Sequence, residues 1–169
     1  MRDSSTLEDS PFKVDPEDVT SDRGTFVLEQ TRVFDAPIAR VFGMLTEPTE
    51  LARWWGPLGF TTPEVHIDLR LGGRYRFTMQ PPQGEAFHLS GAFLEVQAPS
   101  SLRFTFRWDE PVPDDRETVV ELSLNRLGAR TMVTLTQGEF ATEERLELHR
   151  SGWADSFGKL AALLEAGAA

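Results

Sequence analysis

The chain has no cysteine, which excludes disulfides, thiolate metal sites and cysteine nucleophiles together. It has no apolar run of bilayer-spanning length, and the start MRDSSTLEDS lacks the hydrophobic stretch of a secretory leader. A cytoplasmic location is the expectation that follows. Positive charge is scarce as well: 17 Lys and Arg stand against 27 Asp and Glu, a net charge of −10, and arginine greatly outnumbers lysine. That excess repels phosphate backbones and anionic lipid, so neither nucleic acid nor a membrane surface is an expected partner. No three-glycine nucleotide fingerprint occurs, since Gly72-Gly73 joins two strand-like segments and precedes no helix. No serine sits in a nucleophile elbow. The three histidines, His66, His88 and His149, lack a second histidine or carboxylate at ligand spacing on a shared face. No metal and no cofactor are therefore expected.

What remains is an ordinary globular composition: 169 residues, 40% hydrophobic and 26% charged, enough for one core of normal size. Residues 1–24 hold seven carboxylates and two prolines with few large apolar groups. Such a stretch buries too little surface to offset its ordering entropy, so it reads as a disordered acidic tail before a single domain at 25–169.

FVLEQTRVF (26–34) alternates and reads as a strand. Asp35 suits a helix N-cap, and Ile38, Val41, Phe42 and Leu45 form one helical face. Pro48 is expected to end that helix, with Thr49 capping a second short one from Glu50 to Trp55 that Gly56-Pro57 stops. The period then changes to two. Strands are expected at 63–71, 74–79, 86–96 with a bulge at Gly91, and 102–108, followed by TVVELSLNR and RTMVTLTQ. Thr142 caps a long last helix whose stripe is Leu146, His149, Trp153, Phe157, Leu160 and Leu164. The fold class is α+β: a curved antiparallel sheet of six or seven strands around one long C-terminal helix, with two short helices after the first strand. A twisted sheet gripping one helix cannot close tightly everywhere, and a cavity is expected between sheet, helix and the short helical pair.

The segment LARWWGPLGF places Trp54 and Trp55 side by side. Helical neighbours point about 100° apart, so one ring is expected inward and the other over the cavity mouth, with Trp54 to Phe60 as a lid. Tyr75, Phe77, Phe87, Phe104, Phe106 and Trp108 share the inner parity of their strands, and Trp153 and Phe157 face them from the helix. These rings suit an apolar ligand and equally suit a plain core. Tyr75 carries a phenol that needs a partner when buried. His149 stands where leucine would pack better; a buried imidazole there either serves a ligand as acid or base, or reaches a backbone carbonyl. His66 and His88 lie on the outward parity. The carboxylates Asp109, Glu110, Asp114 and Asp115 fall in a proline-containing loop and read as solvated charge.

FDAPIARVF, LARWWGP, DLRLGGRYRF, LTQGEF and GWADSFGKLAALL, in this order, resemble the START/SRPBCC superfamily, whose helix-grip fold is shared with the birch pollen allergen. Within it the chain is most similar to the branch of the activator of the heat-shock-protein-90 ATPase. The resemblance covers about residues 26 to 166. It implies a cavity for a small hydrophobic or aromatic molecule. Relatives that act as polyketide cyclases or dehydratases imply the alternative of an enzyme, with His149 and Tyr75 as its polar pair. The namesake implies a second alternative, a chaperone partner, although its larger N-terminal domain has no counterpart here. Gln137 occupies a position where many relatives place a histidine. An open sheet edge or an exposed Trp55 would support a homodimer.

Overall fold

A computed structural model describes residues 26–168; the acidic stretch 1–24 lies outside the described residues. The order is β1 (Phe26–Phe34), α1 (Ile38–Thr46), α2 (Pro48–Leu51), β2 (Thr61–Ile67), β3 (Arg74–Gln80), β4 (Phe87–Gln97), β5 (Ser101–Trp108), β6 (Thr118–Leu127), β7 (Arg130–Phe140) and α3 (Glu143–Ala168). The strands form one seven-stranded antiparallel sheet in the order β1-β7-β6-β5-β4-β3-β2. This is the helix-grip α+β arrangement. Alternation supplies the sheet with one apolar face: Tyr75, Phe77 and Met79 from β3, Leu89 and Phe93 from β4, Leu102, Phe104 and Phe106 from β5. The α3 stripe of Leu146, Trp153, Phe157, Leu160 and Leu164 is buried against it, and each such side chain contributes about 1.5–3 kcal/mol. The Thr142 hydroxyl accepts from the Arg145 amide at 3.1 Å, which caps α3 as its sequence implies.

Several local expectations are corrected. Asp35 does not cap α1; Pro37 takes the cap position in extended geometry, and no side chain caps it. Pro48 opens α2 rather than closing α1, because the first helical position is where a missing N–H costs least. Glu47, not Thr49, is the cap, held extended by the proline that follows it. Helix α2 ends at Leu51, and both tryptophans lie in the turn beyond it, their amides donating to the Leu51 carbonyl at 3.2 and 3.1 Å. Their rings both turn inward, with centroids 5.6 Å apart, leaving Trp54 0% and Trp55 8% exposed. The basis for a dimer through an exposed Trp55 is thereby removed, although among the described residues β1 and β2 are the edge strands of the sheet.

β2 stops at Ile67, and Leu69 and Leu71 protrude into solvent, since the chain turns through Gly72 at φ 79°. The irregularity in β4 falls between Phe93 and Glu95, not at Gly91. Gly91 has a different cause. A Cβ there would lie 2.0 Å from the Thr105 carbonyl oxygen and 2.7 Å from the Tyr75 ring, so glycine is what lets Tyr75 cross the sheet.

Candidate functional site: an apolar cavity beside the last helix

The N-terminal half of α3 carries Arg145, His149, Gly152 and Ser156 at steps of four, three and four, hence on one face. All four are small or polar; His149 reaches the sheet at Phe106, Trp108 and Phe140, whereas Gly152 and Ser156 leave space in front of it. A cavity of about 440 Å³ lies between them and the strands, with predominantly apolar walls. Trp55 and Phe60 border it from the segment after α2, Phe87, Phe106 and Trp108 from β4 and β5, and Trp153 from α3. Met79 and Pro57 complete the apolar wall. At the outer rim stand Val112 and Leu148, both apolar and exposed, beside Glu110.

Polar side chains orient these rings. Trp153 Nε1–H donates to Gln137 Oε1 at 2.7 Å, and Gln137 Nε2–H donates to the Thr118 hydroxyl at 2.9 Å. The buried glutamine thereby fixes the plane of the Trp153 ring. Trp108 Nε1–H donates to His149 Nε2 at 3.1 Å, while His149 Nδ1 lies 2.7 Å from the Arg145 carbonyl oxygen. An indole only donates and a carbonyl only accepts, so His149 is the neutral imidazole with its proton on Nδ1. Burial pushes its pKa below the ordinary histidine value, in keeping with that tautomer. Both ring nitrogens are occupied, which leaves no lone pair for general-base work.

Tyr75 is similarly engaged. Its hydroxyl donates to the Thr105 carbonyl oxygen at 2.6 Å, and burial raises its pKa well above the ordinary phenol value. It does not border the cavity. Together with Phe77 and Phe104 it surrounds a void of only about 20 Å³ deeper in the core. The polar pair His149–Tyr75 is therefore not assembled around a common space. Trp54 and Phe157 also lie away from the cavity: Trp54 Nε1–H donates to the Met44 carbonyl at 2.8 Å, and Phe157 packs edge-on to Phe34 with centroids 5.5 Å apart. Of the rings marked by parity, Trp55, Phe60, Phe87, Phe106, Trp108 and Trp153 meet around the cavity, with His149.

The charged loop after β5 is not merely solvated. Asp115 Oδ1 lies 2.6 Å from Arg145 Nη2 in a largely buried ion pair at the cavity wall, and Asp115 Oδ2 accepts from the Val112 amide at 2.9 Å. Among the described residues Arg145 Nε is buried without an acceptor. Glu110 accepts from the His88 amide at 2.8 Å and lies 2.7 Å from His88 Nδ1. The hydrogen bond from the His88 ring holds the Glu110 carboxyl below the ordinary range. His88 is thus half-buried against this loop rather than free in solvent. Parity could not reveal these contacts, because the loop has no period.

The segment Trp55–Phe60 closes the cavity on the α2 side and is pinned to α3. The Gly56 amide donates to the Ser156 hydroxyl at 3.0 Å, the Leu58 amide to Asp155 Oδ2 at 3.2 Å, and Lys159 Nζ to the Pro57 carbonyl at 3.3 Å. Gly56 and Gly59, at φ 107° and 87°, hold backbone conformations that other residues rarely adopt. Among the described residues no three His, Asp or Glu side chains gather at metal-holding distance, and no helix is long and apolar enough to cross a membrane.

Residues 35–165 match the family model described as Activator of Hsp90 ATPase homolog 1-like protein. The chain belongs to this family. The fold of this Activator of Hsp90 ATPase homolog 1-like chain recurs in solved structures. A protein from Chromobacterium violaceum is 27% identical, with a TM-score of 0.75 over 82% of this chain and 96% of that one. The AHSA1 protein from Silicibacter pomeroyi is 30% identical, with a TM-score of 0.72 over 83% and 99%. One from Nitrosomonas europaea is 28% identical, with a TM-score of 0.71 over 84% and 96%. No curated protein matches the chain.

Proposed function

We propose that this protein binds a small, largely aromatic or aliphatic molecule in the cavity between β4–β5 and the first half of α3. One observation carries the reading: a cavity of about 440 Å³ walled by six aromatic rings, within the roughly 300–1,000 Å³ usual for small-molecule sites. The chain leaves this space where Gly152 and Ser156 replace bulk on the helix. The charged groups on its wall are Glu110 and the Asp115–Arg145 pair, so the ligand expected is an apolar body with a polar end. Catalysis by His149 is not favoured, because its only lone pair is taken by Trp108.

The test is a melting-temperature screen of the full chain against fatty acids, sterols, flavonoids and polycyclic aromatics. A ligand that binds only the native state adds about 2.7 kcal/mol at a hundredfold excess over its dissociation constant. A chemically related set of stabilising compounds is expected, with the effect lost in Phe60→Asp, which sets a carboxylate on the partly exposed cavity wall. Stabilisation that persists in Phe60→Asp would place the ligand elsewhere.

A further inference from the structure

The opposite face of the sheet carries a second, unlike feature. His66 of β2 pairs with Arg76 of β3, Arg76 with Ser90 of β4, and Ser90 with Arg107 of β5. Facing residues of antiparallel strands share a face, so the four side chains form one row across the outer surface. Arg74 lies two residues from Arg76 on that same face. Around them is a depression of about 340 Å³ lined by His66, Arg74, Arg76, Ser90, Arg107 and Asp109.

Three guanidiniums line it with a single carboxylate, on a chain of net charge −10, and Glu117 stands beyond Arg107 in the adjoining depression. Asp109 is already engaged: it accepts from the Ser90 hydroxyl at 2.6 Å and from Arg76 Nε at 3.0 Å, and Arg107 stands 3.9 Å away. The carboxylate holds Arg76 by Nε, and among the described residues the Arg76 Nη groups and Arg74 have no protein acceptor. Like charges gathered on one sheet face repel and weaken pairing, so a sheet stabilised by cross-strand ion pairs would alternate the signs. The signs do alternate nearby, where Arg103 faces Glu95 and Glu121, but Arg74, Arg76 and Arg107 share one carboxylate at the depression. Arginine, unlike lysine, presents planar N–H forks that match the oxygens of an oxyanion.

We propose that the outer face of β3–β5 is a binding site for a small phosphoryl-bearing anion, held by Arg74, Arg76 and Arg107 and oriented by the Ser90–Asp109 pair. The depression spans the width of three strands, which fits one compact polyanion rather than an extended chain. The site is on the far side of the sheet from the apolar cavity and does not depend on the function proposed for that cavity.

The experiment is isothermal titration of the full chain with inorganic pyrophosphate at constant ionic strength, together with amide chemical shifts. Saturable binding is expected, with shifts centred on Arg74, Arg76, Ser90 and Arg107. The exposed double variant Arg74→Gln/Arg107→Gln is expected to lose about tenfold or more in affinity at an unchanged melting temperature. Arg74→Lys/Arg107→Lys is expected to fall between, since it keeps charge without the fork. Absence of saturable heat to about 10 mM, where even weak specific complexes form, would overturn the site. Equal affinity in the glutamine double variant would overturn it too, as would binding of a glutamate-rich peptide where pyrophosphate fails.

Discussion

The two halves of α3 share one hydrophobic period and do opposite things. Towards the C-terminus, Phe157, Leu160 and Leu164 are buried, with Phe157 against Phe34 and Trp54, and the interior is filled. Towards the N-terminus the neighbouring face reads Arg145, His149, Gly152, Ser156, and the same sheet stands off far enough to leave a cavity. Period decides which side of a helix turns inward; side-chain volume decides whether that side is core or container. The difference is therefore localised in a few residues and can be tested by moving bulk from one half to the other.

The largest contrast is expected between Phe157→Ala and Phe87→Ala. At the filled end the lost ring leaves a hole in close packing, and unfolding measurements should show a loss of about 3–5 kcal/mol. Phe87 is only partly buried and borders space that is already open, so its loss should be about 1–2 kcal/mol. Equal losses would mean that the cavity end is packed as tightly as the other.

Next in size is Asp115→Ala. It strands Arg145, whose Nε already lacks an acceptor among the described residues, in an apolar wall. Denaturant unfolding should show about 2–3 kcal/mol lost, more than an exposed ion pair supplies. A loss near that of the exposed pair Arg53–Glu50 would show that the Arg145 head reaches water.

A gain is expected from Gly152→Ala. Its Cβ would meet only Pro57 Cγ, at 3.9 Å, and alanine in a helix interior is favoured over glycine by about 1 kcal/mol. Thermal unfolding should register that increase; a decrease would mean the cavity closes when unliganded.

The smallest effect concerns pH. The folded chain keeps His149 neutral and the unfolded chain does not, so below about pH 6.5 unfolding takes up a proton. The contribution is complete above that pH and declines as pH falls towards the depressed folded-state value. The carboxylates Asp109 and Glu110, held below their ordinary range, lose theirs only in more acidic solution. Melting temperature should therefore decline between about pH 7.5 and 5.5, and the decline should shrink in His149→Gln, which can still accept from Trp108 and donate to Arg145. An unchanged slope in that variant would show that His149 is not the group responsible.

Most of the architecture was legible because it rests on period. The alternation in β3 and β5, the run of strands after two short helices, and the stripe on α3 each dictate a buried face that the structure contains. Failures came where one residue type has two uses. Pro48 both ends and begins helices, and reading it as an end moved Trp54 and Trp55 onto a helix that stops at Leu51. Gly91 suggested a bulge, whereas it makes room for the Tyr75 ring. Leu69 and Leu71 kept the strand's parity beyond the strand.

The site was half legible for a similar reason. Parity selected rings that point inward but could not say which of them meet bulk on α3 and which meet Gly152. The missed signal was the second face of that helix, Arg145, His149, Gly152 and Ser156, whose small and polar members sit beside an apolar stripe. The Asp115–Arg145 contact joins an aperiodic loop to a helix thirty residues on, and no local pattern encodes it.

The most direct test is equilibrium binding of N-phenyl-1-naphthylamine, an uncharged fluorophore that brightens in apolar surroundings, to the wild type and to Gly152→Leu. If the half-helix difference creates a ligand cavity, the wild type binds one equivalent saturably, and Gly152→Leu folds with an undiminished melting temperature but no longer binds. Binding unchanged in Gly152→Leu, or none by the wild type, would contradict a cavity open to an apolar ligand.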